Sequence, residues 1–291
     1  MTKGDYAIFV VTKLTKIKMH NLQIQDITTL FVVVDDCLMA KPKCPGRPSA
    51  LADSETLTIL LWCALLLRQR NIIDIYRFAC RYHHREFPAL PNYANFVAHC
   101  HRLIPVMARM LQDSLATEAP LRFADSTMVE VCRLIRADSH RVAKGLAAFG
   151  KNHQGWHYGF KLHASVAPDG RFCGLRLTPA NVHDAQMLPF LVEGETKIVV
   201  GDTHYGASVM GRRMWEEKGV FVVAPPHPKQ RKKLLACWQL LLLRARPKIE
   251  SAFDYLKNHL GLVTSFPRSA AGYLFHYLRI LLAYQLMVTL G

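Results

Sequence analysis

No two of the eight cysteines in this 291-residue chain stand in a CxxC pair. They are scattered among ordinary helix- and strand-like stretches, which reads as reduced, mostly buried thiols and not as a disulfide framework. Cys80, His83, His99 and Cys100 can be imagined around a zinc ion, but their spacing matches no common template. Long apolar runs are missing too. The longest, residues 57–67, is too short to span a bilayer and is followed by Arg68 and Arg70, and the C-terminal apolar stretch is broken by Arg279. Residues 7–11 are a brief apolar patch without signal-peptide architecture. Together these absences point to a cytoplasmic protein with no membrane partner. Internal repeats and low-complexity segments are also lacking.

Acid is scarce. Against 37 Lys and Arg there are 22 Asp and Glu, a formal net charge of +15 that favours a polyanionic partner such as nucleic acid. Where acids are few, an acid set into a basic helix is informative. Residues 244–262, RARPKIESAFDYLKNHLGL, read as such a helix, with Pro247 at its first position and Gly261 as its stop. At 3.6 residues per turn Arg246, Glu250, Asp254 and Lys257 share one face, while Ile249, Phe253 and Leu256 share an apolar one. Solubility alone could produce the same charges through pairs one turn apart. Two aspartates at the ends of strand-like runs, Asp125 and Asp202, favour a different reading.

Just over half of the chain is apolar, enough for one large or two medium domains. Residues 1–19 form a poorly specified leader, with Met19 a possible start. Residues 20–118 carry helical patterns: 21–39 with Asp26 as a possible cap, a second run from Asp53 with Asp53 or Ser54 capping, 72–82, and 93–116 as one long helix or two shorter ones. A proline-rich loop, 41–49, separates the first two. This region is a possible DNA-end-binding domain or a plain helical bundle.

From Leu121 the pattern turns to strands. LRFADST approaches Asp125; residues 156–164 alternate cleanly; PDG at 168–170 makes a hairpin turn into a returning strand over 172–178. A helix over 183–192, a buried strand leading to Asp202, a helix near 208–218, a strand over 220–224, a loop crowded with proline and base at 225–233, and the closing helices follow. Residues 119–291 are thus expected to form an α/β ribonuclease-H-like domain, a mixed sheet flanked by helices, preceded by the all-helical domain.

In such a fold the first and fourth strands are neighbours, so Asp125 and Asp202 approach each other, and Glu250 arrives from the closing helix. Gathered acids repel, and a divalent cation resolves the repulsion. Oxygen ligands suit Mg²⁺, with Mn²⁺ as a substitute, and the set can hold two ions. Arg246, Lys257 and Lys161 would then grip phosphates, and His204 would contact substrate or pack locally. Asp184 reads as a helix cap, and Asp254 as the substitute for Glu250.

The chain resembles bacterial insertion-sequence transposases of the DDE type. The resemblance rests on FADST at Asp125, GKNHQGWHYGFKLHASVAPDG followed by LTPANVHDAQ, VVGDTHYG at Asp202, and R-x3-E-x6-K at Arg246, Glu250 and Lys257. It covers about residues 120–265. It implies metal-dependent nicking at element ends and transfer of a 3′-hydroxyl strand into target DNA, with Asp125, Asp202 and Glu250 as the triad. The partners implied are terminal inverted repeats and target DNA, and a homodimer would bring two ends together. The related signature usually has a tyrosine three residues before the arginine, where this chain has Leu243. A nuclease without strand transfer, or a DNA-binding remnant that has lost catalysis, are the competing readings; the intact acids argue against the remnant.

Overall fold

The computed structural model describes residues 26–38, 50–67, 71–152, 155–206, 208–226 and 234–290. The leader, the first residues of the helix expected from Asn21, the proline-rich loop, Arg68, Arg70 and most of the basic loop after Pro226 lie outside the described residues. The chain divides into two compact units. One comprises the residues up to Ser114, His259–Leu262 and Phe266–Gly291; the other comprises Leu115–Asn258 and Val263–Ser265.

The first unit is helical: α1 (Ile27–Leu38), α2 (Asp53–Leu65), α3 (Ile72–Tyr82), α4 (Tyr93–Arg102), α5 (Ile104–Asp113) and α10 (Ala270–Leu290). Asp26 caps α1 as expected, accepting from the Thr29 N–H at 2.6 Å. Asp53 and Ser54 do not cap α2. The cap position is Ala52, whose N–H donates to the Glu55 carboxylate at 2.6 Å, and Asp53 is held by His99 at 2.9 Å instead. The 93–116 pattern resolves into two helices because Pro105 enters the first turn of α5. Sequence reading placed the C-terminal helix in the second unit. In the structure α10 packs against α2, α4 and α5, since a helix apolar on every side must be covered all round. It is long and apolar enough to cross a membrane, but 67% of its most apolar window is buried inside the protein, as in the core helix of a bundle. Arg279, at its centre, is fully buried with a guanidinium nitrogen 3.5 Å from the Leu60 carbonyl.

The second unit is a mixed sheet with helices. Its elements are β1 (Leu121–Glu130), β2 (Ala148–Asn152), β3 (Gly155–Val166), β4 (Phe172–Pro179), α6 (Asp184–Leu191), β5 (Ile198–Val200), α7 (Ser208–Lys218), β6 (Phe221–Val223), α8 (Cys237–Arg244) and α9 (Pro247–Asp254). The strand order is β2-β3-β1-β5-β6, with β4 also on β3. β3 runs antiparallel to β1, β2 and β4, whereas β5 is parallel to β1 and β6 parallel to β5. Three antiparallel strands followed by two parallel ones, with the first strand central, is the arrangement a ribonuclease-H-like fold requires. The strand β2 is additional to the sequence expectation.

β1 sits between β3 and β5, so both of its edges are paired, and Phe123 and Ala124, which point to opposite faces of the sheet, are both buried. Arg122 beside them is fully buried, and its guanidinium donates to the carbonyls of Ala119, Leu191 and Thr117 at 2.8–3.2 Å, which fixes the start of the strand. At the other end, Gly159 of β3 lies opposite Glu130 so closely that an added Cβ would collide with the Val129 carbonyl oxygen. Gly159→Ala is therefore expected to destabilise the protein by about 2–4 kcal/mol by forcing two central strands apart. Urea unfolding of the purified variant measures it; an unchanged midpoint would mean that the strands separate freely here.

Candidate active site

The register of two parallel strands places the two aspartates. The last registered pair between β1 and β5 is Phe123 with Val200, and each acid lies two residues beyond it: Asp125 still on β1, Asp202 just after β5 ends. Neighbouring strands are about 4.8 Å apart, so the two acids belong to adjoining segments of the chain. The charge of Asp202 is among the influences acting on Asp125.

Asp125 is mostly buried, with 17% of its side chain exposed. Burial raises its carboxyl above the ordinary range; the Ser126 N–H and Arg246 offset part of this, and Asp202 adds to it. One Asp125 oxygen accepts from the Ser126 N–H at 2.8 Å, and the other from Arg246 Nη2 at 3.2 Å. The same Arg246 nitrogen is 3.5 Å from Glu250 Oε1. Pro247 opens α9 and puts Arg246 at its N-cap and Glu250 in its first turn, one helical turn apart, where a carboxylate also meets the positive end of the helix. Ile249, Ala252 and Phe253 are buried, so Glu250 is turned outward, 56% exposed. A single guanidinium nitrogen thus ties Asp125 to Glu250. Both oxygens of Asp202 are engaged by His204, one by its N–H and one by Nδ1, each at 2.9 Å. This is the local role for His204, whose ring also lies 5.9 Å from that of His183.

The other candidates go elsewhere. Asp254 is exposed and accepts from Asn258 at 2.5 Å, whereas it is Glu250 that stands 3.5 Å from Arg246. Lys257 does not continue the face of α9. After Asp254 the chain widens into a π-helical turn, Tyr255–His259, which breaks the 3.6-residue phase. Lys257 is half-buried, its amine lowered by burial and partly restored by the charge of Glu130. Lys161 is committed largely to the interior: its ammonium donates to the Val182 carbonyl at 2.8 Å and to Asp184 at 3.1 Å, two of its three donors, and only 12% of the side chain is exposed. Asp184 is not the cap of α6; the His183 ring accepts from the Ala185 N–H in that place. The Asp184 carboxylate instead accepts from Ser126 Oγ at 2.8 Å and from Lys161, a network behind β1 that holds the residue next to Asp125. The imagined zinc set does not assemble: His99 is buried between Thr56 and Asp53, and His83 faces Glu86.

Two features escaped sequence reading. Tyr205, within VVGDTHYG, is 1% exposed; its ring fits against Gly201, where any Cβ would collide with it at 2.7 Å. Its hydroxyl has no hydrogen-bond partner among the described residues and lies within the field of Asp184, Asp125 and Asp202, which together with burial holds the phenol far above its usual range. The motif was visible but gave no hint that the tyrosine would be an internal wall of the acid cluster. The second is His163, fully buried between Thr178 and Asp184, and pushed down to about 4 by burial, with Asp184 opposing and Lys161 assisting. An unfolded histidine takes a proton near pH 6.5 and this one does not until about pH 4, so stability is expected to fall by about 1–3 kcal/mol as pH drops across that window. Denaturation of the parent and of His163→Gln at pH 7 and pH 4.5 tests this; an equally steep loss in the variant would assign it to other groups.

Among the described residues no three His, Cys, Asp or Glu side chains are close enough to surround a metal ion as they stand. The donor chemistry nonetheless fits a hard divalent cation. All three groups are carboxylates, one of them on β1 and one just past the end of the adjacent β5, and the nitrogen between Asp125 and Glu250 belongs to a cationic group. Arg246 Nε is buried there without a hydrogen-bond partner among the described residues, so the described partners of the guanidinium are its two carboxylates.

The family model described as Transposase DDE domain matches residues 115–270, more than half of the chain and all of the second unit. A comparison with curated proteins found no match. A DDE domain acts on DNA as a polynucleotidyl-transferase-type enzyme and generally uses a divalent metal. With the strand order, the paired aspartates and the matched residues agreeing, the chain belongs to the DDE transposase family.

Proposed function

We propose that this protein nicks the ends of an insertion sequence and joins the freed 3′-hydroxyl strand to target DNA. The observation that supports this reading is the placement of Asp125 and Asp202, each two residues past the last pair of adjacent parallel strands, with Glu250 linked to Asp125 through one guanidinium nitrogen. Asp125, Asp202 and Glu250 would hold two Mg²⁺ ions, or Mn²⁺ in their place. When bound, such a pair activates the attacking oxygen and stabilises the leaving one.

The protein's own groups do the rest. Ser126 N–H fixes one oxygen of Asp125, and Asp184 fixes Ser126 from behind. His204 orients Asp202. Arg246, released from the acids, grips a phosphate beside the scissile bond, and bases further out supply the sequence-independent part of the DNA contact. Lys257 contributes to the field of the site from its half-buried place near Glu130 more than by direct grip. The terminal inverted repeats and the target DNA are the partners, a homodimer holds two ends at once, and the helical unit takes part in end binding. The work is done where the element's DNA lies, in the cytoplasm.

Labelled DNA carrying the ends that flank the gene, incubated with a supercoiled plasmid and Mg²⁺, tests the reading. Covalent joining of the labelled 3′ end to the plasmid supports it. Cleavage without joining would leave a metal-dependent nuclease, and binding without either would leave a DNA-binding remnant.

A further inference from the structure

Large apolar side chains left bare on a sheet need a reason. Among the described residues of the second unit, Trp156 is 57% exposed and Phe149 44% exposed, and they stand together on the β2–β3 hairpin. The register pairs Phe149 with Tyr158 and Lys151 with Trp156, so these four side chains share one face. The rings of Phe149 and Tyr158 are 5.0 Å apart, and the Lys151 ammonium lies 5.8 Å from the Trp156 ring centre.

The same face leads to the acids. β3 is registered with β1 so that Ala164 opposes Asp125 and Phe160 opposes Val129. Side chains alternate along a strand, so Trp156, Tyr158 and Ala164, all even-numbered, project to the side of Asp125. Eight residues at about 3.3 Å each put Trp156 roughly 26 Å along the strand from the acid, within the length of one short stretch of DNA. The loop before β2 is basic as well. Residues 131–147 contain Arg133, Arg136, Arg141 and Lys144, all exposed, against one acid, Asp138. The loop is tied to the face by His140, whose ring is 6.1 Å from that of Tyr158.

We infer that the Phe149, Lys151 and Trp156 face is a stacking platform for unpaired DNA bases, with the preceding loop holding the phosphates that connect them. Bare rings offer π-faces that a base can cover only when it is not paired, and the surrounding charge selects a polyanion over an apolar protein partner. This rests on the reading of the protein as DNA-acting, and it names the form of DNA that one part of the surface takes.

Fluorescence anisotropy of the full-length protein in magnesium-free buffer, with a labelled thymidine 12-mer and a labelled blunt duplex, tests it. Trp156→Ala and Phe149→Ala are each expected to weaken single-strand binding about tenfold while leaving duplex binding within about twofold. Trp156→Phe should restore most of the loss, and Lys151→Ala should lower the salt slope by about one counterion. Unchanged single-strand binding in Trp156→Ala, or an equal loss on both probes, would overturn the platform and leave the DNA reading standing. A parent protein that binds neither probe would overturn both.

Discussion

Asp125→Ala, Asp202→Ala and Glu250→Ala are each expected to reduce nicking and joining by about a thousandfold or more, while binding to element ends stays within about threefold. In the proposed role the three carboxylates hold cations, and as negative charges on a surface that must hold phosphates they add nothing to the DNA grip, so their removal is expected to cost chemistry alone. The effects should not add. Once one acid is lost the remaining two cannot complete the cation site, so Asp125→Ala with Glu250→Ala should be no worse than either single change. Asp254→Ala supplies the contrast. It lies one turn from Glu250, but its carboxylate is held by Asn258, and near-parental activity is expected. End cleavage measured alongside a binding assay separates these outcomes. Full activity in Asp202→Ala would remove that residue from the centre, and loss of activity in Asp254→Ala equal to that in Glu250→Ala would reassign the helical acid.

What sequence could disclose was set by how local each signal is. The strand-like runs toward Asp125 and Asp202 and the apolar face of Ile249 and Phe253 are short-range patterns, and the structure carries them with small shifts of boundary. The neighbourhood of β1 and β5 followed from element order alone, since three antiparallel strands and an alternating tail leave few other arrangements. Lys161 was misread because alternation gives a face but not what covers it. Its face packs under α6, where Asp184 and the Val182 carbonyl take the ammonium. Lys257 was misplaced because a helix period was extended through a turn that widens to π geometry, for which the stretch YLKNH carries no plain sign. The edge of the second unit was missed for a third reason: α10 is continuous in sequence with the catalytic region, and only packing shows that its cover comes from helices 150 or more residues earlier.

Arg246→Ala is expected to act in opposite directions on two measurements, and that opposition identifies what the residue does. In the structure its Nη2 is 3.2 Å from Asp125 and 3.5 Å from Glu250, a positive charge placed between two carboxylates. A divalent ion drawn to the same carboxylates must displace it, so in DNA-free protein the arginine competes with the ion. A charge-assisted hydrogen bond of this type contributes about 1.5–3 kcal/mol when sheltered, and partial solvent screening at Glu250 brings the net toward the lower end. Mn²⁺ binding to DNA-free Arg246→Ala, followed by calorimetry, should therefore tighten about tenfold. Cleavage of end DNA should fall about a hundredfold in the same variant, because the displaced guanidinium is the group next to the acids able to take a phosphate in two parallel bonds. Arg246→Lys keeps the charge without the fork and should recover the competition more fully than the cleavage. Weaker Mn²⁺ binding in Arg246→Ala would mean that the arginine braces the carboxylates for the ion and does not hold its place. Unchanged binding would mean that Asp125 and Glu250 do not belong to one cation site.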